Sequence, residues 1–212
     1  MRPLYRLAKT LTYAIFHIVG GRVVNANRIR EWDGGIIAAN HISYFDPPWV
    51  GCVWSNEIHF LAKRELFEVK LLSPLIKYLN AVPIRRGVID RQSTARVKQI
   101  VESGKSILMF PEGSRKKFTA KPGIGKIAIQ SGASVLPVLL CNTGKPCSSL
   151  LGRRPMRIVV GEPITREAIG KYEDTKDDYR ALSEYILQRI LALSEKRLSS
   201  DEPRTEPKDD SC

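Results

Sequence analysis

The chain has 212 residues, 43% hydrophobic and 26% charged, a globular composition long enough to bury a core. Its 34 Lys and Arg against 22 Asp and Glu give a formal charge of +12 and a pI near 9.7. The last fourteen residues hold five acids and two bases, which leaves the rest of the chain at +15. That excess implies an anionic partner: nucleic acid, a phospholipid surface, an acidic carrier protein or a phosphorylated substrate. Zinc spacing, a helix-turn-helix signature and aromatic platforms interleaved with basic residues are all missing from the sequence, which argues against nucleic acid. Cys52, Cys141, Cys147 and Cys212 form no Cys-x-x-Cys pair and follow no secretory signal, so they read as reduced intracellular thiols. His17, His41 and His59 are not spaced with Cys or acids as metal ligands, and no metal site is expected.

In chain order, Leu4, Leu7, Ala8, Leu11, Ile15, Ile18 and Val19 recur at helical spacing, with Arg2, Arg6 and Lys9 between them. The segment is interrupted by charge and stops at Gly20-Gly21, short of the roughly 20 apolar residues that span a bilayer. It reads as a basic amphipathic helix in a membrane interface, over residues 1–22, although packing on the protein's own core fits the pattern equally.

Strand and helix candidates then alternate. Ile36–Ala39 is a strand, followed by a loop over Asn40–Asp46, and Asp46-Pro47-Pro48 suits a helix start, Asp capping free amides and Pro fitting the first turn. Ile58–Ala62 is a strand and Glu65–Leu79 a helical stretch bent or broken near Pro74. Ala81–Arg86 is a strand, Asp90–Ser103 an amphipathic helix closed by Gly104, and Ser106–Phe110 a buried strand ending at Pro111. Ile124–Ser131 is a short helix, Val135–Cys141 and Arg157–Val160 are strands, and Lys176–Arg197 is a long helix. The alternation predicts an α/β domain over 23–198 with a mixed, largely parallel sheet flanked by helices, and a disordered tail over 199–212.

Four segments carry chemistry. In Ala39-Asn40-His41-Ile42-Ser43-Tyr44-Phe45-Asp46-Pro47, a His leaves a strand end and an Asp follows five positions later. In a continuous helix the two side chains would stand roughly 140° apart. Across a strand–loop–helix turn they can meet, the carboxylate fixing one imidazole nitrogen and leaving the other as a base. Phe110-Pro111-Glu112-Gly113-Ser114-Arg115 also follows a strand, where α/β sheets place ligands. There Gly113 permits a tight turn, Glu112 can orient a neighbour and Arg115 can grip a phosphate. Ser114 lacks the Gly-x-Ser-x-Gly frame of a hydrolase nucleophile. Asn80-Ala81-Val82-Pro83-Ile84-Arg85-Arg86-Gly87 offers two arginines on opposite strand faces, and Lys121-Pro122-Gly123 follows the Glu-Gly-Ser-Arg turn.

Taken in this order, Asn-His-x₄-Asp-Pro, Ile-x-Arg-Gly, Phe-Pro-Glu-Gly-Ser-Arg, Lys-x-Gly and Val-x-Pro-Val resemble the glycerolipid acyltransferase family over roughly Ile36 to Val138. The resemblance implies that His41 deprotonates an acceptor hydroxyl while Asp46 orients it, and that the hydroxyl attacks an acyl-carrier-protein or acyl-coenzyme A thioester as co-substrate, with no cofactor. It implies that Arg86, Glu112, Gly113, Ser114, Arg115 and Lys121 bind the substrate. The implied acceptor is lysophosphatidic acid, at the cytoplasmic face of an anionic membrane to which the protein is peripheral or monotopic. Sister enzymes that acylate glycerol 3-phosphate or another lysolipid, such as lyso-ornithine lipid, share these motifs. A non-catalytic basic membrane-binding scaffold of the same fold is the alternative of a different kind. The chain departs from the family pattern at Asn80, where Gly is frequent, at Pro83, which replaces an aromatic, and at Lys116-Lys117 after the arginine.

Overall fold

The apolar runs that read as buried strands form the middle of a seven-stranded sheet in a computed structural model that describes residues 2–84, 91–112, 119–144 and 155–195. The strands are β1 (Arg22–Val24), β2 (Gly35–Ala39), β3 (Ile58–Lys63), β4 (Ala81–Ile84), β5 (Ser106–Met109), β6 (Val135–Cys141) and β7 (Arg157–Val160), in the spatial order β1-β7-β6-β2-β5-β3-β4. Pairing is parallel from β6 through β4, β7 is antiparallel to β6, and β1 is parallel to β7. The sheet is therefore mixed and largely parallel, as the alternation predicts.

Helices cover both faces, so β2, β5 and β6 are buried along their whole length and need no polar alternation. Neighbouring β2 residues divide between the layers. Ile37 and Ala39 face a cluster with Phe16, Trp49, Val50 and Trp54, from α1 (Pro3–Ile18) and α3 (Asp46–Val53) with the residue after it. Ile36 and Ala38 face Val97, Ile127, Leu182 and Ile186, from α5 (Arg91–Glu102), α6 (Gly123–Ser131) and α8 (Lys176–Glu195). Gly35 starts β2 at φ +130°, and a Cβ there would stand 2.6 Å from the Ser134 carbonyl, so the strand can enter the sheet at this point only without a side chain.

Several elements differ from the sequence reading. β1, α2 (Asn27–Glu31) and α7 (Arg166–Ile169) are too short for a periodic signal. The Glu65–Leu79 stretch is a 3₁₀ turn at Arg64–Phe67 and then α4 (Leu72–Tyr78). Its break lies before Leu72 rather than near Pro74. Pro74 is the third residue of α4, where a backbone N–H has no intrahelical acceptor anyway. Pro83 lies in the edge strand β4, where a missing donor is tolerated. Pro137 lies inside β6 just before its ladder with β7 begins at Val138, and its carbonyl still accepts from Gly161. The ends of the predicted 81–86 strand, the 90–103 helix and the 176–197 helix, together with the 199–212 tail, lie partly or wholly outside the described residues.

α1 divides its residues between core and surface. Tyr5 and Phe16, with Val19 just beyond the helix, are buried, and the Tyr5 hydroxyl accepts from the Ile58 amide. Leu4, Leu7, Leu11, Ile15 and Ile18 form an exposed stripe on the outer side. The helix thus packs on the core through one face and presents a second apolar face outward. No helix among the described residues is long and apolar enough to cross a membrane.

Candidate active site

β2, β5 and β6 end at the same edge of the sheet, and the loops leaving these ends meet there. Asn40 continues β2 by one residue. Its side-chain amide donates to the Leu140 carbonyl (3.0 Å) and accepts from the Leu140 N–H (2.7 Å), copying a strand pair onto β6. This clamp holds the backbone at the point where His41 leaves the sheet.

Asp46 is the first helical residue of α3, yet its carboxylate does not cap that helix. It turns back into the loop and is fully buried. Oδ2 accepts from the amides of Ile42 and Ser43, each at 2.8 Å, and meets His41 Nδ1 at 2.8 Å. Oδ1 accepts from the Thr143 hydroxyl at 2.5 Å. A buried carboxylate needs such a shell of donors to remain charged. Since an ionised carboxylate can only accept, the proton of the His41–Asp46 bond belongs on Nδ1, and Nε2 is left with its lone pair. The cap expected of Asp46 is thus replaced by a loop-closing role, because three N–H donors lie upstream of the helix.

His41 is further fixed by its ring, which stacks on Phe110 at a centroid distance of 4.1 Å and 20° between planes. Its side chain keeps 19% exposure, so the imidazole remains reachable. Glu112, two residues past Phe110, is buried, and its Oε2 accepts from the His41 backbone N–H at 3.4 Å. Its Oε1 is buried with no hydrogen-bond partner among the described residues. Burial pushes the Glu112 carboxyl up to about 7; the His41 amide opposes this and the nearby Asp46 charge adds to it.

Of the residues singled out in the sequence, His41, Asp46 and Glu112 come together. Lys121 lies beside them through its backbone, its N–H donating 2.8 Å to the Pro111 carbonyl, while its side chain is exposed. Arg86, Gly113, Ser114 and Arg115 lie outside the described residues. Sequence reasoning passed over Thr143, Phe110 and the clamp made by Asn40. A signal for Thr143 existed in its place just past a buried strand's carboxyl end. Asn142 before it adopts φ +59°, a left-handed turn that Asn tolerates, and this turn brings Thr143 back over the sheet edge onto Asp46.

The acyltransferase family model matches residues 21–141, more than half of the chain and every residue of the site just described except Asn142 and Thr143. The chain belongs to the acyltransferase family. Relatives of this acyltransferase include the 1-acyl-sn-glycerol-3-phosphate acyltransferase of Bacillus subtilis (strain 168), 26% identical over 199 residues that cover 91% of this chain and 98% of the relative. A protein of the same name from Limnanthes alba is 31% identical over 208 residues, covering 87% of this chain and 71% of the relative. In fold, the acyltransferase is similar to the crystal structure of the 1-acyl-sn-glycerophosphate (LPA) acyltransferase PlsC from Thermotoga maritima. The TM-score is 0.60 at 20% identity, over 96% of this chain and 86% of that one.

Proposed function

We propose that this acyltransferase moves a fatty acyl group from a thioester, on acyl carrier protein or coenzyme A, to the sn-2 hydroxyl of lysophosphatidic acid, giving phosphatidic acid. The observation that carries this reading is the reachable His41 ring, its Nδ1 held 2.8 Å from the fully buried Asp46 carboxylate. Nε2 takes the proton of the acceptor hydroxyl as its oxygen attacks the thioester carbonyl carbon. The tetrahedral intermediate collapses, the C–S bond breaks, and the departing thiolate receives the proton from the imidazolium. A base so placed contributes on the order of 10² to 10⁴ in rate.

The chain's relatives from Bacillus subtilis and Limnanthes alba, named for 1-acyl-sn-glycerol 3-phosphate, support the choice of acceptor. The state of Cys52 supports a direct transfer without an acyl-enzyme. Cys52 is buried against Trp49, and burial pushes its thiol up to about 12, so it does not supply a thiolate. The charge of +12 and the exposed apolar stripe of α1 suit a peripheral enzyme on an anionic bilayer, for which we assign the cytoplasmic face.

The test is thiol release from acyl-coenzyme A, and in parallel from acyl carrier protein, by purified protein in mixed micelles. Lysophosphatidic acid, glycerol 3-phosphate, lysophosphatidylcholine and no acceptor run side by side, with His41→Ala as control. Release that requires lysophosphatidic acid and collapses in the variant is the expected result. Release with another acceptor keeps the mechanism and replaces the substrate. An acylated enzyme trapped with donor alone overturns the direct transfer.

A further inference from the structure

A second exposed apolar surface lies beyond α1. The chain leaves β3 at Lys63, at the same sheet edge as the His41 loop, and forms the 3₁₀ turn and the bend that leads into α4. Leu71 at this bend is 91% exposed, with Val69 and Leu75 also outside and Leu66 at the margin. Arg64, Lys70 and Lys77 are exposed among and beside them, as are Glu65 and Glu68. Leu71 is more exposed than any residue of the α1 stripe, where Ile18 reaches 68%.

The topology puts this surface on the side that α1 covers. The crossovers from β2 through α3 to β3, and from β3 through α4 to β4, step across the sheet in one direction. Right-handed crossovers stepping the same way lay their helices on the same face, and α3 shares its face with α1. The crossover from β4 to β5 steps back, and Val97 and Val101 of its helix α5 lie in the opposite layer. Contact agrees with topology. Arg2, at the amino end of α1, stacks over the Tyr78 ring at 4.7 Å, at the end of α4, and binds Glu57 and Asn80. The Asn80 departure fits this clamp, because φ +66° suits Asn and its side chain donates to Glu57 at 3.0 Å.

We propose that the Arg64–Leu75 segment is a second lipid-inserting element, which together with α1 lays one face of the molecule on an anionic phospholipid bilayer with the His41 edge at the lipid. The inference rests on the reading of the protein as a membrane-surface enzyme. Apolar side chains on one face with the α1 stripe, among exposed cations that outnumber the acids three to two, suit lipid tails below anionic headgroups. An acidic soluble protein would match the cations but leave Leu71 in water. Two contacts fix the tilt of the molecule, which one helix alone leaves free to roll.

The experiment measures partition of the full chain onto vesicles of phosphatidylcholine with phosphatidylglycerol, with no substrate present, so its outcome is independent of acyl transfer. Leu71→Ser lowers the partition on the order of tenfold with an unchanged melting temperature, and Leu7→Ser on α1 does the same. Leu71→Trp adds fluorescence that brominated lipid quenches. Wild-type partition by Leu71→Ser while Leu7→Ser loses binding overturns the second element, as does added fluorescence in Leu71→Trp that brominated lipid leaves unquenched. A change in oligomeric mass without lipid, or weaker binding to acyl carrier protein with vesicle binding intact, assigns the surface to another occupant and likewise overturns the proposal. If neither serine variant loses binding, both apolar contacts are overturned, and if the wild-type chain itself does not bind the vesicles, the membrane-surface reading falls.

Discussion

Thr143 donates its hydroxyl proton to Oδ1 of Asp46 across 2.5 Å, although 97 residues separate them in the chain. The bond ties the loop after β6 to the carboxylate that holds His41, and both residues are fully buried. Without that donor, Oδ1 stands in the protein interior with no partner among the described residues, and the carboxylate can rotate away from the imidazole.

Thr143→Val keeps the shape and removes the donor. An unsatisfied buried acceptor costs about 1–3 kcal/mol, so the variant melts at a lower temperature. If Asp46 orients the base, kcat falls on the order of tenfold with KM little changed, and the pH at which activity rises also moves. Thr143→Ser restores both. A variant that melts early but keeps the wild-type pH profile assigns Thr143 to the fold alone.

Glu112 predicts a pH dependence of stability. Its folded carboxyl lies at about 7, above its ordinary value of 4.5, because it is buried beside Asp46. The folded state therefore binds a proton more tightly than the unfolded chain. The stabilisation is fully present below about pH 4.5 and is lost as pH rises through 7, to an upper limit of about 3 kcal/mol. Glu112→Gln removes this slope: its melting temperature relative to wild type improves between pH 5 and 8. Parallel melting curves for the two proteins across that range defeat the assignment.

The sheet and its site were legible to different depths. Ile36–Ala39, Ser106–Met109 and Val135–Cys141 announced themselves because strands buried on both faces are written as unbroken apolar runs. The His41–Asp46 pair could be read from five-residue spacing once a strand–loop–helix turn was assumed, since the pairing is local. Thr143, Phe110 and the clamp of Asn40 to Leu140 could not, because each depends on which strands lie side by side, and sequence order does not give the order β6-β2-β5. Asp46 pairs with His41 as its spacing suggests, but its carboxylate does not cap the helix, for a related reason. Position suggested free amides ahead of it, while the donors it uses lie behind, at Ile42 and Ser43. The orientation of α1 was also beyond the periodic pattern, which marks an apolar stripe without saying whether protein or another medium covers it.

Gly125 gives a prediction about packing away from the site. It lies in α6 against α8, its N–H donating 2.9 Å to Ser183 Oγ, and a Cβ there would stand 2.8 Å from that oxygen and closer still to the Tyr179 carbonyl. Both helices lie on the layer that backs β2 and β6, and backbone cannot yield as a flexible side chain end can. Gly125→Ala gains about 0.5–1 kcal/mol in helix propensity. Overpacking costs about 1–3 kcal/mol, so the net change is destabilising. The melting temperature falls by roughly 2–6 °C for a domain of this size. Pairing it with Ser183→Gly removes the Oγ clash but leaves that with Tyr179, so the double variant recovers part of the loss and not the whole. Full recovery would place the obstruction at Ser183 alone, and an unchanged melting temperature in the single variant would mean that the two helices separate at negligible cost.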